Sequence, residues 1–343
     1  MSKINSFNVA DKQTSSIPSS KVVFATLAAL IAITLALFTP LRSFLPSRLH
    51  PRISALRTMA TTTTTTTTAT SPASKTFGPA APPPSMKIAP RPWNERGHAD
   101  HGWLYTYHTF SFASYWSPEH ESFGPLRVIN EDRVAPGTGF GAHSHAEFLI
   151  WSYIVRGELE HKDSMGNLER LRRGDVQFTS AGTGIRHSEF NRNRDDEVHF
   201  LQIWAKPAVS RLAPAYTTRN FPDELKINRL CRIMESVDRH DGKDGESDPI
   251  PLHADVSMSA SLLEPGVKVR HQLVADGERK VYAHVVMSGR EQPKDGGAAI
   301  RIGDKVLREG DGAYVEGLKG PGEVVMESVG DKRAEFLLFD MGP

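Results

Sequence analysis

A single cysteine, Cys231, is all the thiol the chain carries, which excludes an intrachain disulfide, and no Asn-x-Ser/Thr acceptor occurs anywhere. Both absences argue against a disulfide-stapled secreted protein and favour a reducing compartment. Net charge is lacking too: 41 Lys and Arg stand against 40 Asp and Glu. So weak a summed field gives no general reason to expect a membrane-surface partner, and direct nucleic-acid binding is not expected. Acid is missing altogether from residues 39–93, and a long apolar run occurs once, at residues 22–38, broken only by Thr26 and Thr34.

The 343 residues leave room for roughly two domains. Residues 1–21 form a polar segment and 22–40 a hydrophobic anchor or targeting segment, at the lower limit of length for spanning a bilayer. Basic residues flank it on both sides, Lys3, Lys12 and Lys21 before and Arg42, Arg48 and Arg52 after, so its orientation stays open. The acid-free stretch that follows also has the composition of an organelle transit peptide. Residues 41–92, with eight threonines at 61–68 and a proline run before Ser85, read as a disordered low-complexity linker. Met59 and Met86 are alternative starts. A chain carrying residues 1–58 is expected to be membrane-anchored or organelle-targeted, and a shorter one cytoplasmic or nuclear.

From Leu126 onward the pattern is short apolar runs separated by glycine turns, such as "LIWSYIVRGELEHKD" and "VHFLQIWA", which predicts an all-β body. Residues 252–339 repeat the design. "LRRGDVQF" and "LREGDGAY" match, pairing Gly174 with Gly310, and Gly157 pairs with Gly289 at a similar offset. We therefore expect two tandem β-barrels in a monomer: residues 93–208, then an interdomain crossover and loop at 209–250, then 251–343.

The first barrel carries an unusual stretch, "GAHSHAEF". His143 and His145 stand two apart after a glycine-broken run, and in a strand such side chains share one face. "GTGIRHSEF" repeats the arrangement with His187 and Glu189. Three imidazoles and one carboxylate suit one divalent ion, Fe(II), Mn, Co, Ni or Cu, and the absence of thiolate argues against structural zinc or iron–sulfur. Vacant coordination places would admit a chelating substrate and dioxygen. Glu189 has a second use, detaching to accept a proton, although a bound carboxylate is the simpler default. In the second barrel the matching stretches, taken as "LVADGERK" and "GPGEVVME", hold no histidine pair.

Other candidates weigh less. His98, His101 and His108 do not stand at strand spacing and are expected to bond locally; His161 reads as a structural residue beside a hairpin. Phe110, Phe112, Phe140, Phe178 and Trp204 read as core, with a flat aromatic pocket as the alternative. Arg170, Arg172 and Arg173 read as a solvated hairpin edge.

"RGHADHGWLYTYHTFSFASYW", "LRVINEDRVAPGTGFGAHSHAEF", "GELEHKDSMGN" and "SAGTGIRHSEFN" occur in order, and from about Arg96 to Phe339 the chain resembles the pirin family, bicupins that include bacterial quercetin 2,3-dioxygenases. The resemblance implies an N-terminal cupin binding one metal ion, Fe(II), through His143, His145, His187 and Glu189, and a C-terminal cupin without metal. It implies opening of a flavonol such as quercetin by dioxygen, or alternatively a non-catalytic, redox-sensing iron protein that binds a transcription factor. Two departures stand out: Ser144 replaces the usual proline, and Leu149 replaces the usual glutamate, whose loss would weaken the site if it supported a ligand. Glu147 is the residue expected to compensate.

Overall fold

The computed structural model describes residues 86–242 and 248–343. The segments at 1–21 and 22–40, and the linker up to residue 85, lie outside the described residues. Among the described residues the helices are three-residue 3-10 turns, and no helix is long and apolar enough to cross a membrane.

Strand β1 (Lys87–Arg91) comes first. The front barrel follows with β2 (Gly97–Asp100), β3 (Leu104–His108), β4 (Leu126–Val134), β5 (Gly139–His145), β6 (Leu149–Arg156), β7 (Glu158–Asp163), β8 (Leu168–Arg172), β9 (Asp175–Ser180), β10 (Ile185–Phe190), β11 (Val198–Ala205) and β12 (Ala215–Asn220). The rear barrel contains β13 (Cys231–Ser236), β14 (Ile250–Leu252), β15 (Val256–Leu263), β16 (Lys268–Gln272), β17 (Gly277–Val285), β18 (Ala299–Ile302), β19 (Lys305–Arg308), β20 (Gly312–Gly320), β21 (Glu323–Ser328) and β22 (Ala334–Met341).

Each barrel is a seven-stranded sheet facing a four-stranded one. The front orders are β12-β9-β6-β11-β4-β3-β2 and β5-β10-β7-β8; the rear orders are β1-β20-β17-β22-β15-β13-β14 and β16-β21-β18-β19. The shared strand order marks a duplication. The Gly-Asp turns coincide in detail: Gly174 and Gly310 both adopt left-handed φ, 95° and 82°. In each turn the next aspartate accepts a 2.8 Å bond from a backbone N–H, Arg172 to Asp175 and Arg308 to Asp311. Gly289 does not match Gly157 in this way, because it sits beyond the end of β17 in a longer loop without left-handed φ.

Two expected boundaries and one repeat match need correction. The linker does not extend to residue 92, since β1 pairs along β20 of the rear barrel; as an edge strand it tolerates Pro90, which has no N–H for a ladder. The crossover at 209–250 is not loop throughout. β12 pairs with β9 of the front barrel, and β13 with β15 of the rear one, leaving the join between them at 221–230. The rear counterpart of β5 is β16, "KVRHQ", one strand earlier than the stretch matched by sequence offset.

Period-two alternation sorts the side chains. On β6, Leu149, Trp151 and Tyr153 enter an apolar cluster shared with Met258, Tyr282 and Phe339 of the rear barrel. Ile150, Ser152 and Ile154 point the other way, into the front barrel. The rear interior is filled by apolar side chains including Val269, Ile300, Met326 and Phe336, which leaves it a packed core.

One buried carboxylate ties the barrels together. Glu131 of β4 accepts bonds from His199 (3.1 Å), from His284 of the rear barrel (3.0 Å), from the Met287 backbone N–H (2.7 Å) and from Arg96 (3.1 Å). Burial alone would raise its pKa, but these donors hold it well below the ordinary carboxylate value. Removing one partner of a buried charge network strands the rest. Glu131→Ala is therefore expected to cost about 3–5 kcal/mol in guanidinium unfolding at pH 7; a loss under about 1 kcal/mol would show that the two histidines and Arg96 find other partners.

Candidate metal centre

β5 and β10 are antiparallel neighbours, with His187 opposite His143 and Ile185 opposite His145. After His187 the register shifts, so that Glu189 faces Phe140. The imidazoles form a near-equilateral triangle, with centroids 4.6 Å (143–187), 4.7 Å (143–145) and 4.9 Å (145–187) apart. The His143 and His187 Nε2 atoms are 3.1 Å apart. His143 donates Nδ1–H to the Gly141 carbonyl at 2.8 Å, which leaves its Nε2 lone pair facing the centre. Two nitrogens bound at right angles to one ion, each about 2.1 Å away, stand about 3 Å apart, so the pair fits a cation.

Burial pushes the pKa of His145 and of His187 down to about 3, and the neighbouring imidazoles push the same way. Both rings are then neutral at pH 7, with lone pairs to give. Glu189 lies deeper. Its Oε2 accepts from the Gln202 amide at 2.9 Å, and the Ser152 hydroxyl stands 3.3 Å from Oε1. The four expected residues fall into two overlapping groups whose ligand atoms lie within 4.8 Å of one another: His143, His145 and His187, and then His187, Glu189 and His161. His161, expected to be structural, is hydrogen-bonded to Asp163 at 3.3 Å. It is wholly buried on β7, directly opposite Glu189.

The interior face of the large sheet is polar around this point. His108 is bonded to Asn130 at 2.8 Å, Thr106 to Asp132, and Ser152 to Gln202. Trp204 packs edge-on to His145, with centroids 4.8 Å apart, between Phe112 and Phe148. Its buried Nε1–H has no acceptor. Of the other aromatics, Phe110 and Phe178 are core between the barrels, and Phe140 packs on Trp103. His98 bonds locally to the Thr106 carbonyl. Arg170, Arg172 and Arg173 are indeed a hairpin edge, paired with Glu158, Glu160, Asp223 and Glu335.

Leu149 lies outside the candidate centre. It points away from the face of β6 that carries Ser152, into the core between the barrels. Glu147 does not compensate for it either: it has φ 59°, is exposed, and its carboxylate accepts from the Arg211 backbone N–H. In the rear barrel Val269 and His271 are the buried residues of β16, Val324, Met326 and Ser328 those of β21, and His271 is bound to Asp340 at 2.7 Å.

Two outcomes follow. Leu149→Glu buries an unpaired carboxylate between the barrels and should cost several kcal/mol of stability, while metal affinity stays within about twofold; a tenfold gain in affinity would place this side chain at the centre after all. Asp132 is buried, and desolvation raises its pKa to about 7. Its folded pKa exceeds the unfolded one, so the stability its protonated form contributes is lost as pH rises from about 4 to about 7. In metal-stripped protein, Asp132→Asn should match the parent near pH 4 and exceed it by roughly 1–4 kcal/mol at pH 8 in urea midpoints; equal stability at both pH values would sink this assignment.

Known proteins share this arrangement of sequence and fold. The family described as Pirin matches residues 91–205, and the quercetinase C-terminal cupin domain matches residues 242–341. A quercetin 2,3-dioxygenase of Escherichia coli K12 is 37% identical over 250 residues, covering 73% of this chain and 96% of the relative. A pirin-like protein of Caulobacter vibrioides is 32% identical over 250 residues, covering 73% and 97%. The solved structure of the Escherichia coli pirin YhhW in complex with nickel(II) is 35% identical and superposes with a TM-score of 0.63, covering 75% of this chain and all of that one. With two ordered family matches on the two barrels and relatives aligned over nearly their whole length, the chain belongs to the pirin family.

Proposed function

We propose that the chain is a quercetinase-like oxidoreductase, a metal-dependent dioxygenase that opens a flavonol such as quercetin. The observation that carries the reading is the convergence of the His143 and His187 Nε2 atoms to 3.1 Å above a buried Glu189, inside a barrel lined by polar groups. The names of the relatives support the reaction class.

His143, His145, His187 and Glu189 would hold one divalent ion, which we assign as Fe(II). The same nitrogen and oxygen donors accept Ni(II), the ion bound to YhhW. Bound there, the ion would supply Lewis acidity and an electron path between substrate and dioxygen. In balance, both atoms of dioxygen enter the ring-opened depside, and the flavonol carbon that bears the central hydroxyl leaves as carbon monoxide.

The remaining work falls to side chains. Three imidazoles and one carboxylate would leave a divalent ion one positive charge, which an ionised substrate hydroxyl would neutralise. Glu189 would take that proton, since the Gln202 amide orients it through Oε2 and leaves lone pairs on both oxygens. Phe112, Phe148 and Trp204 offer an aromatic wall beside His145 for a planar ring system.

The test is anaerobic loading of the stripped chain with Fe(II), and in parallel Ni(II), followed by quercetin and air. Loss of flavonol absorbance with release of carbon monoxide is expected. His187→Ala should lower metal affinity by 100-fold or more, and Glu189→Gln should slow turnover by about 10²–10⁴. A fully loaded chain that leaves every flavonol unchanged overturns the reading.

A further inference from the structure

Local bonding accounts for one nitrogen of His108 and leaves the other. Its Nδ1 stands 2.8 Å from the Asn130 side-chain oxygen, an acceptor only, and 3.5 Å from the Thr106 hydroxyl, which donates to Asp132. The imidazole proton therefore sits on Nδ1, and the lone pair falls to Nε2. Among the described residues that Nε2 meets no hydrogen-bond donor. Burial pushes the pKa of His108 down to about 4, so the ring is neutral at pH 7 and Nε2 accepts rather than donates. The side chain belongs to a residue only 5% exposed. Leaving an acceptor unmet at such a place costs about 1–3 kcal/mol, which a ring placed only to pack would avoid.

The position of the ring gives that lone pair something to meet. Antiparallel register sets His108 opposite Asn130, Asn130 opposite Gln202 and Gln202 opposite Ser152, so one polar row crosses the interior face of the large sheet. Gln202 in that row holds Glu189, and His108 lies two strands away from it, about 10 Å along the row. Aromatic rings join the same points around the mouth: Phe112 stands 5.3 Å from His108 and 5.6 Å from Trp204, whose ring lies 4.8 Å from His145. Space remains along the row. Gln202, Asp132 and Asn130 keep 8%, 4% and 3% of their surface accessible, whereas Val281, Ile300, Met326 and Phe336 of the rear interior keep none.

We propose that His108, oriented by Asn130, is a specificity-determining residue whose Nε2 accepts a hydrogen bond from a phenolic hydroxyl at the end of the substrate remote from the metal. The inference rests on the dioxygenase reading above and deepens it, because it narrows the substrate class to flat polyphenols that carry a hydroxyl on a remote ring. A methyl ether or a bare ring at that end has no proton to donate. It leaves Nε2 buried and unpaired, so discrimination comes from the unmet acceptor rather than from lost contact area.

Binding to the full chain loaded with Ni(II), in the absence of air, tests this without turnover. Quercetin and 3-hydroxyflavone share the adjacent hydroxyl and carbonyl that chelate a metal, but the remote rings of 3-hydroxyflavone carry no hydroxyl. Calorimetry should give the wild type a preference for quercetin of about tenfold or more. His108→Phe keeps a flat ring without a lone pair and should bring the two affinities to within about twofold, while His108→Gln, whose side-chain oxygen still accepts, should retain a preference of about threefold or more. Unchanged near-ultraviolet circular dichroism and stoichiometric Ni(II) uptake mark the variants as folded. Equal affinities in the wild type, or a folded His108→Phe with the parental preference, overturn the inference and leave the dioxygenase reading standing. A loaded wild type that binds neither flavonol overturns both.

Discussion

The pairing of β5 with β10 places His187 directly across from His143, and the chemistry of the front barrel depends on that register. Because side chains alternate, a slip of one residue would turn both histidines outward and empty the centre. A bulge prevents the ladder from being regular: Gly141 and Ala142 of β5 stand against Ser188 alone, so that Glu189 pairs with Phe140. Bulges bend a strand and re-aim its side chains. Here the bend separates a three-histidine mouth from a carboxylate set deeper, with His187 common to both levels.

The duplicated fold makes the same architecture serve two ends. In the rear barrel the inward positions of β16 and β21 include Val269, Val324 and Met326, so the interior closes as a core and its one inward histidine, His271, is engaged by Asp340. In the front barrel the inward positions carry His108, Asn130, Asp132, Ser152 and Gln202, each with a partner, which keeps a polar interior from collapsing. Stability that the front interior gives up is supplied at the junction, where Trp151 and Tyr153 meet Met258 and Tyr282 and Glu131 collects donors from both barrels. The site can be open and polar because its burial is done on the opposite face of the same strands.

Much of this was legible in the sequence. Period two put His143 with His145 and His187 with Glu189, and the Gly-Asp turns at 174 and 310 disclosed the duplication. Period two also held an answer that a motif view passed over. Leu149 and Ser152 are three apart on β6, hence on opposite faces, so Leu149 could not share a side with Ser152, which bonds the Gln202 that holds Glu189. What no local pattern contained was long-range pairing. "KIAPR" sits in proline-rich surroundings, and "AYTTRN" lies between Pro214 and Pro222, so both look like linker until β20 and β9 supply their partners.

The placement of β1 laces the two barrels into one object. Arg91 pairs with Gly312, so the earliest described strand finds its neighbour only after all the strands of the other barrel and seven of its own. On a ribosome that strand must wait, exposed and unpaired, until nearly the whole polypeptide has emerged. The edge of the rear barrel at β20 is thus covered by a strand made before the front barrel, and a rear fragment cut at the join between barrels would lack it.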